Sequence, residues 1–277
     1  ATSAIGFAVD SLKEFKFQMS GARALLQTAS EAEIQSLDAL AQKLGKDTVF
    51  TAGQSAEAIQ FLAMAGFEAN QIIAALPSTL NLAAAANMEL GQAADIASNI
   101  LSGFRLSAEQ TARVVDVMAY TTATFNTNGV EMGEAMKFIA PAAAALKIPL
   151  EEVSVFVGAM GNNALKSGDA TRALTSSLGR VANPTKKAKK SLKELNLSLF
   201  DSNGEFIGLT KTVSELEKRY KTLTPQQQLA HTAAIFGAEA SKNITAALGF
   251  QKETMIDGEK VTNVTTDPRF SGGAKTM

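Results

Sequence analysis

The stretch that decides the fold class runs from Ser30 to Gly66 and reads SEAEIQSLDALAQKLGKDTVFTAGQSAEAIQFLAMAG. Ser30 with Glu33, and Thr51 with Gln54, match the capping box, in which two side chains satisfy backbone N–H groups at a helix start. Apolar residues after the first box recur every three or four positions, at Ile34, Leu37, Leu40, Ala41 and Leu44. This spacing places them on one face of a helix. The stretch therefore predicts successive amphipathic helices.

The same signals continue outward in both directions. The first residues carry a second helical face, formed by Ile5, Val9, Leu12, Phe15, Met19, Ala22 and Leu25. Ser107 with Gln110, and Thr224 before Pro225, indicate further helix starts. Glycines that follow apolar periodic segments predict helix ends, at Gly45, Gly66, Gly103, Gly161, Gly179, Gly237 and Gly249. We expect an all-α fold of ten or more short to medium helices, in a multi-helix bundle or a stacked array.

One segment departs from the helical pattern. Residues 197–200 and 205–207 read as two short strands around the turn residues Asp201 to Gly204, which predicts a small β-hairpin near 197–207. We expect residues 1–249 to form a helical core region, with a candidate sub-boundary near 183–196 before the hairpin. Residues 250–277 show little periodicity, and we interpret them as a flexible linker or tail.

Composition and charge exclude several classes of protein. The 277 residues contain no Cys and one His, with 26 Lys+Arg against 27 Asp+Glu. A disulfide framework and any site that depends on cysteine are therefore excluded. The charge is uneven, because residues 1–135 carry a net charge of −7 and residues 136–277 carry +6. Such a split is compatible with alignment of neighbouring copies or with an anionic partner for the second half. A split without functional meaning is the alternative interpretation.

Motifs for catalysis, cofactors or metals are weak. His231 lies within an apolar helical pattern, so we interpret it as structural. The segment from Asp201 to Glu205 begins like a calcium loop but lacks its glycine and its final glutamate, and Gly161 to Ser167 lacks the second glycine of a phosphate loop. Glu151 with Glu152, and Glu215 with Glu217, are interpreted as solvated helix faces. We expect no catalytic, cofactor or metal residues and no enzyme activity.

The strongest charge feature is a basic run between residues 180 and 193. It contains no acidic residue, and its basic members are Arg180, Lys186, Lys187, Lys189, Lys190 and Lys193. Such a run is a candidate contact for phosphates or for an acidic protein surface. A solvated helix start after Pro184 is the alternative interpretation. No aromatic residue lies in the run, so recognition of single-stranded bases by stacking is not expected.

Taken in order, several segments resemble the core region of phage tail tape measure proteins. They are Thr51 to Gly66, Leu82 to Ala85, Ala93 to Asp95 with Phe104, Val115 to Met118, Gly161 to Leu174 with Gly168 and Arg172, Leu192 to Asn196, Asp201 to Phe206, and Ile235 to Gly237. The resemblance covers roughly residues 1–249. It implies a structural segment that occupies the tail lumen, takes part in tail assembly and length determination, and is released at genome ejection.

The resemblance also implies a set of partners. These are copies of the chain arranged around the tail axis, the tail tube protein, tail-tip or baseplate proteins, and tail assembly chaperones. The basic run, independently of the resemblance, makes DNA a candidate contact. The location would be the virion, after synthesis in the host cytoplasm. Two other classes remain open, a membrane-active or pore-forming helical protein and a nucleic-acid-binding helical protein that uses the basic run. The longest charge-free stretch, Ala69 to Met88, is too polar to span a bilayer on its own, and membrane contact by this segment is not expected.

Overall fold

The structure, a computed structural model, describes residues 2–162, 168–238, 241, 255–256 and 259–260. The helices in these residues are α1 (Thr2–Leu25), α2 (Glu31–Asp47), α3 (Ala52–Met64), α4 (Ala69–Ala86), α5 (Leu90–Phe104), α6 (Thr111–Thr124), α7 (Gly129–Ala145), α8 (Leu150–Asn162), α9 (Gly168–Ala182), α10 (Lys186–Glu194), α11 (Leu209–Tyr220) and α12 (Pro225–Phe236). A turn of 3₁₀-helix, Ala108–Gln110, precedes α6. Two short strands, β1 (Met255–Ile256) and β2 (Glu259–Lys260), pair antiparallel. The all-α prediction is confirmed.

The chain divides into two compact units, with the boundary between Ala119 and Tyr120. In the first unit α3 is central, and α1, α2, α4 and α5 all pack against it. Apolar side chains of four helices are fully buried there, among them Leu37, Ile59, Leu62, Ile72, Leu76, Leu80, Ile96 and Ile100. Gly21 lets α1 approach closely, since a Cβ at this position would lie 2.9 Å from the side chain of Gln60 on α3.

In the second unit, α7 packs against α8 and α9, while α12 packs against α9 and α10 and α8 contacts α11. Met132, Met136 and Ile139 form the fully buried face of α7. The hydroxyls of Tyr220 and Thr232 form a buried hydrogen bond of 2.8 Å between α11 and α12. Burial raises the pKa of Tyr220, and the bond to Thr232 only partly offsets this effect.

The predicted helix starts are confirmed. The amide of Glu33 donates to Ser30 Oγ at 3.3 Å, and the amide of Ser30 donates to Glu33 Oε2 at 2.7 Å. Thr51 and Gln54 form the same box before α3, and Thr224 and Gln227 form it before α12. Ser107 with Gln110 opens the 3₁₀ turn that leads into α6.

The predicted glycine stops hold at Gly66 and Gly237, which adopt φ values of +89° and +97° after their helices. The prediction is wrong at Gly45, Gly103, Gly161 and Gly179, which lie inside α2, α5, α8 and α9. Gly249 lies outside the described residues. Gly204 and Gly208 also have positive φ values, but four further positions with positive φ are held by larger residues, namely Asn87, Arg105, Lys147 and Asn196.

A repeated backbone motif explains these larger residues. Directly after Gly66 and after each of these four residues comes an apolar residue, whose amide donates to the carbonyl five residues earlier at 2.8–3.1 Å. The pairs are Phe67 to Leu62, Met88 to Ala83, Leu106 to Leu101, Ile148 to Ala143, and Leu197 to Leu192. This is the Schellman hydrogen bond. The apolar residue is partly or fully buried in each case. Its burial helps to hold a residue other than glycine in the left-handed conformation.

The predicted β-hairpin near 197–207 is wrong. No strand forms within residues 197–207, and a single antiparallel bridge joins Phe200 and Phe206, whose rings meet edge-on with centroids 6.0 Å apart. Asp201 Oδ1 accepts from the amides of Asn203 and Glu205, both at 2.9 Å, which closes a tight turn. At Gly208, with φ +89°, the chain turns into α11, so the two sides remain too short for a ladder.

Candidate anion-binding surface

Helix α10 presents the basic run that the sequence singles out. Thr185 caps the helix, because its hydroxyl accepts from the amide of Ala188 at 3.2 Å. The helix ends where Asn196 takes the left-handed conformation. Ala188, Ser191 and Leu195 are buried, and α10 packs against α12. The short helix is therefore fixed at both ends and along one side.

Five lysines lie on the opposite side of α10, and we call them the lysine surface: Lys186, Lys187, Lys189, Lys190 and Lys193. All five are exposed. At 100° per residue they span about 160° of the helix circumference, centred opposite the buried residues. The structure thus brings five of the six predicted basic residues together on one convex surface.

Little of this positive charge is neutralised. Lys190 Nζ lies 3.8 Å from Glu194 Oε1, with the lysine side chain 79% exposed. An exposed pair of this kind contributes little free energy. No ion pair within the described part of the chain engages Lys186, Lys187, Lys189 or Lys193. The neighbouring α12 carries no carboxylate in its 12 residues.

Arg180, the sixth predicted residue, does not lie on α10. It is exposed in the last turn of α9, where a cation interacts favourably with the helix dipole. Its side chain lies against Gly237, since a Cβ at that glycine would be 3.0 Å from Arg180 Nε. Its position is therefore explained by the packing of α9 near the end of α12.

The weak metal and phosphate motifs acquire structural roles or fall outside the described residues. Asp201 uses its carboxylate to close the turn described above. The candidate phosphate loop lies mostly within residues 163–167, which are not described. His231 is partly buried on α12. Across the described residues, no group of three or more acidic or histidine side chains is arranged to hold a metal ion.

The role of one acidic residue, as a cap for a distant helix, is not predicted from the sequence. Glu152 on α8 accepts a hydrogen bond from the amide of Thr210 at 2.7 Å and so caps α11, 58 positions later in the chain. Gly208 stands at the N-cap of α11 and has no side chain to serve this purpose. Glu151 is 6% exposed, so its interpretation as solvated is wrong. The adjacent acids give no local signal of either role.

A second long-range contact joins the same region. Lys147 Nζ donates to Glu205 Oε1 at 2.6 Å, which connects the turn before α8 with the bridged turn at residues 200–206. The hydrogen bond and the charge of Glu205 raise the pKa of Lys147. Both side chains are more than half exposed, so the pair orients the turn more than it stabilises the fold.

None of the described helices combines the length and the apolar character needed to cross a bilayer.

Comparisons with known proteins agree on one family. The family model described as phage-related minor tail protein matches residues 38–237. The tape measure protein of Pneumococcus phage Dp-1 is 33% identical over 99% of this chain and 24% of its own length. The probable tape measure protein of Escherichia phage P2 is 30% identical over 82% of this chain and 28% of its own length. No solved structure matches the chain. The chain thus spans about a quarter of the length of these two relatives.

Proposed function

We propose that this chain, which belongs to the family of phage-related minor tail proteins, is a segment of a longer tape measure protein that helps to set tail length. The resemblance inferred from the sequence is confirmed by two relatives named as tape measure proteins. The observation that carries the proposal is the match along 99% of the chain to the Dp-1 protein. In this role the chain occupies the tail lumen during assembly and leaves the virion at genome ejection.

The architecture supports a role in packing and docking. The helices in the described residues run from 9 to 24 residues and most are joined by short turns, and Ala-rich stretches such as Ala83 to Ala86 allow helices to approach closely. Individual contacts between such helices are small, which favours rearrangement when the protein leaves the tail. The segment acts without turnover of any small molecule, consistent with the tail-protein relatives that it matches.

Several partners follow from this function. The chain docks to its own copies around the tail axis and to the tail tube protein, and it meets tail-tip or baseplate proteins and assembly chaperones. Exposed apolar side chains in the first unit provide surface for such contacts, because Phe17 is 75% and Val49 83% exposed. Burial of these groups against a copy or the tube would remove apolar area from water.

Release at ejection can be tested by mass spectrometry of virions before and after they eject DNA. We expect peptides of residues 1–238 in intact tails and their loss, relative to tube-protein peptides, from emptied tails. The matched control is the tube protein itself, which should remain in both samples. Equal amounts of the segment in intact and emptied tails would contradict release, and its absence from intact tails would contradict the tail role.

A further inference from the structure

The lysine surface has an arrangement that a general basic patch lacks. Lys186, Lys190 and Lys193 form a row along α10 of about 10 Å, at a rise of 1.5 Å per residue. Lys187 and Lys189 lie on opposite flanks of this row, about 100° and 60° around the helix axis from Lys186. The positive charge therefore extends along the exposed ridge of a helix and down both of its sides. Glu194, the one acid of α10, lies about 80° around the axis from Lys186, on the flank of Lys187.

This shape matches a groove with negative walls. The major groove of B-form DNA is about 12 Å wide and admits an α-helix, with phosphates along both edges. Lysines on two flanks can reach both phosphate rows while the central row faces the groove. A flat acidic protein surface would contact the central row and leave the flanking lysines in water, so the geometry favours the duplex.

The side chains on this surface suit phosphate contact without reading of bases. The nine residues of α10 include no Arg, Asn or Gln, which are the residues that bind base edges with two hydrogen bonds. Lysine is a flexible point charge that binds phosphate without fixed geometry. The last two turns of α9, residues 175–182, add no carboxylate near α10 that would repel a polyanion.

We propose that the lysine surface of α10 binds the phosphate backbone of duplex DNA independently of sequence. The proposal goes beyond the tail role above and does not depend on it, because it rests on the geometry and charge of α10. A contact of this kind would hold through release of counterions, so its strength should fall steeply as salt rises.

The test is fluorescence anisotropy of two labelled 20-base-pair duplexes of unrelated sequence, titrated with the 277-residue chain at several salt concentrations. If all five lysines contact phosphate, the logarithm of the association constant should fall with the logarithm of the salt concentration with a slope of about −4.5. The two duplexes should bind with equal affinity. Replacement of all five lysines by glutamine, which has similar helix propensity, should weaken binding at low salt by more than tenfold and flatten the slope.

Two variants keep this test specific. The first carries glutamine at five exposed lysines elsewhere, namely Lys16, Lys43, Lys46, Lys211 and Lys221. It changes the net charge equally and should retain most of the affinity for DNA. Arginine at all five α10 positions should retain binding. The proposal is overturned if the two glutamine variants lose affinity equally, or if the unmodified chain fails to bind either duplex. Binding to poly-glutamate but not to DNA would also overturn it, in favour of an acidic protein partner. Circular dichroism checks that each variant remains helical.

Discussion

The turns between α3 and α6 and the start of α11 position the next helix by different means. In the first region each turn is built by neighbours in sequence. A left-handed residue, an apolar residue and the N-cap residue of the next helix follow one another at Gly66 to Glu68, Asn87 to Glu89 and Arg105 to Ser107. In the second region, α11 begins at Gly208, and its cap comes from Glu152 on a distant helix.

This difference separates local from long-range determination of structure. A turn made by neighbours can form whenever its own helices form, since all its hydrogen bonds join residues a few positions apart. The start of α11 needs α8 to be in place first, because Glu152 and Thr210 are 58 residues apart. We therefore expect substitutions in the two regions to differ in how far their effects extend.

The largest effect is expected from Glu152→Ala. Loss of the carboxylate removes a charge-assisted hydrogen bond and leaves the amide of Thr210 without this cap, at a cost of about 2 kcal/mol in unfolding free energy. Hydrogen exchange should accelerate in the first turn of α11 as well as near α8. Glu217→Ala, which removes a partly buried acid of α11 that does not cap the helix, is the matched control and should change stability less. An effect confined to α8 would show that the long-range cap is unimportant.

A smaller effect is expected from Thr51→Ala in the local region. The substitution removes the hydroxyl that accepts from Gln54, and N-caps of this kind contribute about 1 kcal/mol. Urea unfolding measures the loss, and hydrogen exchange should show it in the first turn of α3. Thr51→Ser retains the cap and serves as control. Faster exchange in α11 would contradict the local character of this turn.

Substitutions at two equivalent turn positions are expected to change the stability in opposite directions. Arg105→Gly should stabilise the protein by about 0.5–1 kcal/mol, because glycine adopts the φ of +58° without the penalty of a side chain. Gly66→Ala should destabilise it by a similar amount at φ +89°, although a Cβ there meets no atom within 4 Å. Thermal unfolding of both variants measures the difference. A change of stability in the same direction for both variants would show that the left-handed residue does not determine the stability of these turns.

The smallest expected effect concerns pH. Hydrogen bonds from the hydroxyl and amide of Ser30 lower the pKa of Glu33 below its usual value. Glu33 therefore contributes stability that is present above about pH 4.5 and is lost as pH falls through the lower pKa of the folded state. Glu33→Gln should remove this part of the acid sensitivity, as measured by urea unfolding at pH 7 and pH 3. The box of Thr51 with Gln54 does not titrate, so Gln54→Ala should cost the same at both pH values.

Sequence reasoning succeeded where the determinants are local. The boxes at Ser30, Thr51 and Thr224 each place donor and acceptor three residues apart, so their roles follow from spacing alone. The five lysines of α10 could be located because a nine-residue helix fixes which side they share. The glycine positions gave several wrong helix ends, because Gly45 and Gly179 lie inside helices while Arg105 and Lys147 take the left-handed conformation.

Other features depend on contacts that spacing does not reveal. Glu152 resembles any acid in a first helical turn, and its role exists only because α11 packs against α8. The segment from Leu197 to Ile207 has the composition of a hairpin, yet the turn at Gly208 leaves room for one bridge. The domain boundaries expected near residues 183–196 and 249 remain predictions. The tail expected at residues 250–277 lies outside the described residues except for 255–256 and 259–260.

The central claim, that this chain is part of a protein that sets tail length, is tested most directly by electron microscopy of phage tails. In-frame deletions and duplications of about 60 residues would be made in the full gene, outside the region that encodes residues 1–277. If the protein spans the lumen as helix, tails should shorten or lengthen by roughly 90 Å, at 1.5 Å per residue. Tails of unchanged length, assembled normally around the altered protein, would contradict the account.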